Sequence, residues 1–277
     1  MKPLLQNRLI IEAGRSENQY WKDIWRYREL FYFLAWRDIL VRYKQTAIGI
    51  AWALIRPFLT MIVFTVVFGK IARLPSEGVP YPILVFAAML PWQFFANAIG
   101  ECSNSLLSNS NLISKVYFPR LIVPASAVIV SFVDFLISGA IMLALMAWYN
   151  FVPDWRILTL PLFIIIAFAA AMGGGLWFAA LNVQYRDFRY IVPFIVQFGL
   201  YISPVGFSST VVPEQWRFLY SLNPMVGVID GFRWAILGGD TKLYWLEFLL
   251  SIALVALLVV SGIWYFRKME RTFADVI

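Results

Sequence analysis

Runs of apolar residues about 20 long, enough to cross a hydrocarbon core of roughly 30 Å, recur along this chain and leave few folds open to it. Hydrophobic residues make up 61% of the 277 and charged residues only 14%, where a soluble domain carries about 25% charged. With a mean hydropathy of +0.72, the chain has too little polar surface to cover itself in water. The sequence therefore predicts an all-α polytopic membrane protein. Six spans are expected: 48–68 (interrupted by Arg56 and Pro57), 83–99, 122–148, 158–181, 191–202 and 246–266. The fifth would continue toward Phe207 if Pro204 only kinks it. This divides the chain into an amino-terminal cytoplasmic segment (1–47), a membrane domain (48–266) and a short tail (267–277).

An even number of spans puts both ends on one side. That side carries nine Lys and Arg before Thr46, together with Lys115, Arg120, Arg186, Arg189, Arg267, Lys268 and Arg271. The other side carries Lys70, Arg73, Arg156, Arg217, Arg233 and Lys242. Positive charge collects on cytoplasmic loops, so both termini are expected in the cytoplasm. The net charge of +7 then reports membrane orientation rather than nucleic-acid binding. The first 21 residues lack the apolar core and cleavage site of a signal peptide and are expected to remain.

Three segments outside the spans are informative. Residues 28–45, RELFYFLAWRDILVRYKQ, are helix-length but too charged to cross. Asp38, Arg42 and Gln45 share one face, opposite Trp36, Leu40 and Tyr43, which predicts an interfacial helix along the cytoplasmic surface. Residues 103–120 are polar enough to leave the membrane and long enough for a short helix, with Pro119 opening the next span. Residues 204–244 are too apolar for a solvated loop. Pro213 and Pro224 mark two helix starts, Asn223 is a candidate cap and Gly238-Gly239 a stop. Two helices of about three turns cannot cross, so they are expected to enter the membrane and return, which requires burial in protein or a cavity to line.

Chemistry is conspicuous by its gaps. The chain has no histidine and one cysteine, Cys102, so the commonest general base and metal ligand are missing and no intrachain disulfide can form. No G-x-x-x-x-G-K-[ST] cradle for nucleotide phosphates and no G-x-S-x-G elbow occurs. Asp134 is the single acid of the third span, which disfavours the relays of an ion-coupled transporter. No catalytic residue, cofactor site or metal site is expected.

From about Trp25 onward the chain resembles the ABC-2 type permeases that export polysaccharides (O-antigen, capsule and teichoic acid). The resemblance is carried by residues 25–69 (WRYRELFYFLAWRDILVRYKQTAIGIAWALIRPFLTMIVFTVVFG), 91–124 (PWQFFANAIGECSNSLLSNSNLISKVYFPRLIVP), 182–194 (NVQYRDFRYIVPF) and 221–238 (SLNPMVGVIDGFRWAILG). It implies a homodimer of six-span subunits in the bacterial inner membrane, with two copies of a separate ATPase that binds ATP and Mg. The implied cargo is a glycan on undecaprenyl diphosphate, passing through a channel between the subunits. An interfacial helix, a cytoplasmic coupling helix after span 2 and external gate helices before span 6 are implied too. O-antigen is the expected polymer, with teichoic acid, capsule or a hydrophobic drug or lipid as the alternative cargo.

Arg37, Arg42, Lys44 and Arg56 are the candidates for the diphosphate or the channel entrance, because guanidinium and ammonium groups bind phosphate. Anionic headgroups would want the same residues, and Arg56 could equally snorkel to the interface. Sugars stack their C–H faces on aromatic rings, so Trp52, Phe58, Trp92, Phe95, Phe194, Phe198 and Tyr201 are candidate channel linings; lipid-facing bulk is the bland reading. Asn111, Lys115, Tyr117 and Phe118 are candidates for ATPase contact, against an ordinary solvated loop. Trp216, Tyr220, Pro224, Asp230 and Arg233 mark the external gate, with Asp230 and Arg233 expected to satisfy each other. Gly173 to Gly175 read as a site of close helix packing rather than a hinge.

Overall fold

The computed structural model describes residues 17–44, 50–239, 241 and 243–273, and among these every regular element is helical. The amino segment through Ser16, the expected first-span start at Ile48, Gln45, Lys242 and the tail from Ala274 lie outside the described residues. The helices are α1 (Glu17–Arg26), α2 (Arg28–Lys44), α3 (Ile50–Phe64), α4 (Tyr81–Ser108), α5 (Ser110–Lys115) and α6 (Ile122–Trp148). They are followed by α7 (Leu160–Gln184), α8 (Phe188–Ile202), α9 (Glu214–Tyr220), α10 (Pro224–Leu237) and α11 (Trp245–Glu270). A π-helical turn, Thr65–Ile71, continues α3, and a 3-10 turn, Trp155–Thr159, leads into α7.

Five of these helical stretches are long and apolar enough to cross a membrane: Ala51–Ile71, Tyr81–Ser108, Ile122–Trp148, Trp155–Gln184 and Trp245–Glu270. The expected fifth span is shorter. α8 stops at Ile202, because Ser203 is extended (φ −81°, ψ 152°), the conformation imposed on a residue preceding proline. Pro204 therefore ends the helix instead of kinking it, and the chain turns before Phe207. The connection expected at 103–120 also differs, since α4 runs on to Ser108 before Asn109 breaks it (φ −109°, ψ 23°).

α4 is the central helix, buried from Ile83 through Trp92. α6 and α7 both pack along it and touch each other, α11 packs on α7, and α10 contacts α4, α7 and α11. Rings from four helices fill the middle: Phe94 lies between Phe132, Phe135 and Phe168, with Phe135 edge-on to Phe232.

The triple glycine sets the spacing of this block. A Cβ on Gly173 would stand 2.7 Å from the main chain of Leu258, and one on Gly262 only 2.5 Å from the Gly173 carbonyl oxygen. α7 and α11 thus touch backbone to backbone. On its other side α7 meets α4, where a Cβ on Gly175 would be 2.7 Å from Cys102 Sγ. Main chain cannot step aside, so Gly262→Ala is expected to cost about 1–3 kcal/mol as overpacking and to lower the melting temperature in detergent. Asn111→Ala, at an exposed site, is the control that should leave it unchanged.

The segment after α8 matches its expected punctuation. Asn223 caps α10, accepting a hydrogen bond from Met225 N at 3.0 Å, and Pro224 occupies the first helical position. Gly238 ends the helix at φ 60°. The two helices are unequal, however: α9 has 7 residues and is exposed, whereas α10 has 14 and is largely buried.

Candidate functional site

At the end of the molecule that carries α1, α5 and the last turn of α11, α2 does not simply lie on a surface. Arg37 donates to Asn109 Oδ1 (2.9 Å) and to Asp38 (2.8 Å). Arg42 donates to Asp134 Oδ2 of α6 at 2.5 Å and also holds Glu101 of α4. Tyr43 donates its hydroxyl to the other oxygen of Asp134. α2 packs against α6, and its charged side chains reach past it to Glu101 on α4 and to Asn109 just after that helix. Tyr43 consequently belongs with the charged face, not opposite it as helical spacing alone implied. Burial, with Asp134 beside it, pushes the Tyr43 hydroxyl well above its ordinary pKa, which keeps it a donor.

Asp134 thus has two partners and does not stand alone in its span. A carboxylate inside an apolar helix is costly unless a cation or donors meet it, and α2 delivers both. Of the four cations named for the diphosphate, Arg37 and Arg42 are engaged within the chain. Lys44 and Arg56 are exposed, Arg56 one residue before the helix-internal Pro57. The outward side of α2 bears an open groove of about 310 Å³ lined by Phe33, Trp36, Arg37, Leu40, Val41 and Lys44.

The aromatic candidates separate into two groups. Trp52 and Phe58 are exposed on α3, and Phe194, Phe198 and Tyr201 on α8, with Phe194 and Phe198 stacked at 6.0 Å. Trp92 is buried, its ring filling the space over Gly199 where a Cβ would meet it at 2.7 Å. Phe95 is half-buried against it, ring centroids 5.7 Å apart. Trp92 therefore packs α4 onto α8 within the chain, which is the reason it cannot line an open face here. In the connection after α4, Asn111, Lys115 and Tyr117 are exposed while Phe118 is buried in the core. Phe118 is thereby a packing residue rather than a surface contact.

At the opposite end, an irregular turn of six residues, 203–208, joins α8 to the following segment and is buried except for half-buried Phe207. Backbone without secondary structure must find other partners when buried. Arg233, only 3% exposed, supplies them: it donates to Phe207 O (2.6 Å), Val205 O (3.1 Å) and Leu84 O (3.3 Å). Tyr81 Oη donates to Gly206 O at 2.7 Å, Asn223 Nδ2 donates to Ser203 Oγ at 2.9 Å, and Ser208 is held by Glu77. The ring of Phe68 lies under Gly206, where a Cβ would be 2.5 Å away. Asp230 accepts from Ser209 Oγ at 2.7 Å. Asp230 and Arg233 make no direct ion pair: each feels the other's charge across a shared pocket, while Arg233 holds the carbonyls of the turn and Asp230 holds Ser209 just after it. Trp216 is exposed on α9, and Tyr220 and Pro224 are half-buried near the junction of the two helices.

Glu77, Tyr81, Glu101, Asp134, Ser208 and Ser209 escaped the sequence reading as site residues. Only Glu101 and Asp134 carried a signal, as acids in apolar surroundings.

The model of the ABC-2 type transporter family matches residues 29–237. The chain is 28% identical over 215 residues to the O-antigen export system permease protein RfbA of Myxococcus xanthus, covering 76% of this chain and 82% of that protein. It is 25% identical to the protein of the same name from Klebsiella pneumoniae, over 87% of this chain and 92% of that one. It is 24% identical to the polysialic acid transport protein KpsM of Escherichia coli, over 85% and 91% respectively.

Proposed function

The chain belongs to the ABC-2 type transporter family, and from that premise we propose that it is the membrane subunit of an ATP-driven exporter of polysaccharide linked to undecaprenyl diphosphate, with O-antigen as the polymer. The observation that carries this reading is the similarity to proteins named as O-antigen export permeases along most of the chain. Two copies would form the conduit in the bacterial inner membrane, each with six spans if α8 is counted as the fifth and with both termini in the cytoplasm. ATP and Mg belong to a separate ATPase, two copies of which dock under the exposed Asn111, Lys115 and Tyr117. The chain itself does no bond-making chemistry.

Physical reasoning supports a conduit between copies. Trp52, Phe58, Phe194, Phe198 and Tyr201 give α3 and α8 open aromatic faces, and Arg56 adds a cation to the α3 side. A charge within an apolar helix is better placed toward a polar path or a phosphate than toward lipid tails. Lys44 and Arg56 are therefore the cations assigned to the diphosphate at the entrance, and α9 and α10 with Trp216, Tyr220 and Pro224 form the external gate region. The similarity to a polysialic acid transport protein favours capsule as the second polymer.

Deleting the gene and locating the undecaprenyl-linked glycan tests the proposal. Glycan trapped on the cytoplasmic face with a bare surface is the expected result, and its sugars would separate O-antigen from capsule. A normal surface glycan in a strain without a second exporter would reject the cargo while leaving the family intact.

A further inference from the structure

The first span changes its helical geometry before it ends. α3 closes at Phe64 and Thr65–Ile71 continues as a π-helical turn, with a closing bond from Ala72 N to Val67 O at 2.9 Å, five residues back. In an α-helix, residues seven apart lie two turns apart on one face. Ile55 and Ile62 are exposed, so Gly69 belongs on the outer face, yet it is half-buried. Phe64 is half-buried, so Ile71 belongs inside, yet it is 73% exposed. The wider turn has slipped the outer end of the span by one residue. Such π turns are rare and frequently mark functional sites.

The slip creates contacts on the inner face. Gly69 lies against the Tyr81 ring, where a Cβ would stand 2.8 Å from Cγ. Phe68, beside it, puts its ring under Gly206, and Tyr81 Oη donates to Gly206 O at 2.7 Å. Two glycines and two rings thus lock together the first span, the start of α4 and the turn after α8. This is not a relaxed helix end. Thr65 Oγ1 is buried without a hydrogen-bond partner, and the chain leaves the segment through Arg73 at φ 51°, in the left-handed region that favours glycine.

We propose that Thr65–Ile71 is a register switch: rewinding it from π to α carries Gly69 out from under Tyr81, draws Ile71 in and releases the turn at 203–208. α3 and α8 hold the open aromatic faces assigned to the conduit, and their outer ends meet through Phe68 and Gly206. Rewinding therefore frees one from the other at the exit. An element with two discrete arrangements moves in steps, as packed helices do when one ratchets past another. Its use in transport rests on the reading of the chain as an ATP-driven conduit; the two registers themselves do not.

Ile71→Cys and Lys70→Cys, each in a Cys102→Ser background, test it by labelling with a membrane-impermeant maleimide. The full chain is assembled with its ATPase in vesicles. Without nucleotide both thiols should react. After trapping with ATP and vanadate, Ile71→Cys should lose its reactivity while Lys70→Cys keeps it. Lys70, seven residues after the exposed Val63, faces outward in both registers. Gly69→Ala, which has no room beneath Tyr81, should protect Ile71→Cys without nucleotide, in the chain alone as well; Tyr81→Phe, which keeps the ring, should not. Ile71→Cys that stays reactive under trapping or in Gly69→Ala overturns the proposal. So does joint protection of Lys70→Cys and Ile71→Cys, which is burial of the segment without a change of register. Arrest of ATP hydrolysis verifies trapping separately. If no ATPase works with this chain, the conduit reading fails, and Gly69→Ala in the chain alone still decides the register.

Discussion

Replacing Arg233 by methionine is expected to deplete the folded protein, read as loss of the monodisperse peak in detergent and a sharp fall in melting temperature. The substitution keeps most of the side-chain volume and removes the donors. Val205 O and Phe207 O lie in a buried turn with no helix to satisfy them. Each orphaned buried carbonyl costs about 1–3 kcal/mol, so the pair costs about 2–6 kcal/mol, comparable to the whole stability of many domains. Leu84 O, inside α4, has a helical partner as well and adds less. Arg233→Lys should recover only part of the loss, because one ammonium cannot reach carbonyls that a planar guanidinium spans at once. Asp230→Asn, which keeps an acceptor for Ser209 Oγ, is the mild neighbour. If Arg233→Met melted like the parent, the turn would have to be held by Tyr81, Asn223 and Glu77 alone.

The second large effect is expected at Asp134. Changing it to leucine strips Arg42 and Tyr43 of a shared acceptor and leaves Arg42 with Glu101, which is half exposed and screened. Breaking a fully buried ion pair costs about 3–5 kcal/mol. With the Asp134 side chain 15% exposed and that of Arg42 30%, about 2–3 kcal/mol is the reasonable expectation after discounting for solvent. Removing both charges should help: Asp134→Leu with Arg42→Met replaces an ion pair by apolar bulk and should recover part of the stability. The double variant also separates two roles for Arg42. Export restored together with stability makes Arg42 a clamp between α2 and the α4–α6 pair. Export still absent in a stable protein makes it a substrate contact too.

The fold was legible in the sequence where one physical rule governed. Apolar length gave the five crossing stretches, Gly173 to Gly175 announced the close approach of helices, and Asn223-Pro224 with Gly238 bracketed α10. Where two rules competed, the outcome depended on tertiary partners. Pro204 can kink or stop a helix, and the extended Ser203 decided for stopping. The amphipathic pattern of α2 read as a surface helix, but Asp134 and Glu101, more than 50 residues away, drew its charged side into the protein. Proximity in sequence likewise paired Asp230 with Arg233, while the buried turn between α8 and α9 offered each a different partner. The aromatic candidates show the same limit, since composition distinguishes neither Trp92 under Gly199 from Trp52 on an open face nor a packing ring from a stacking platform.

The 15 residues of α8 make a rod about 22 Å long, beside neighbours cut for a hydrocarbon layer of roughly 30 Å. If α8 starts level with its neighbours, the turn after it would stand some 8 Å below the level they reach, by the same helical rise. Bare backbone at such a depth is stable only when protein shields it, which gives the clustering of Arg233, Tyr81, Asn223 and Phe68 around 203–208 its physical reason. In that placement whatever adjoins the open side of α8 would meet a dimple, and lipid there would have to thin to follow it.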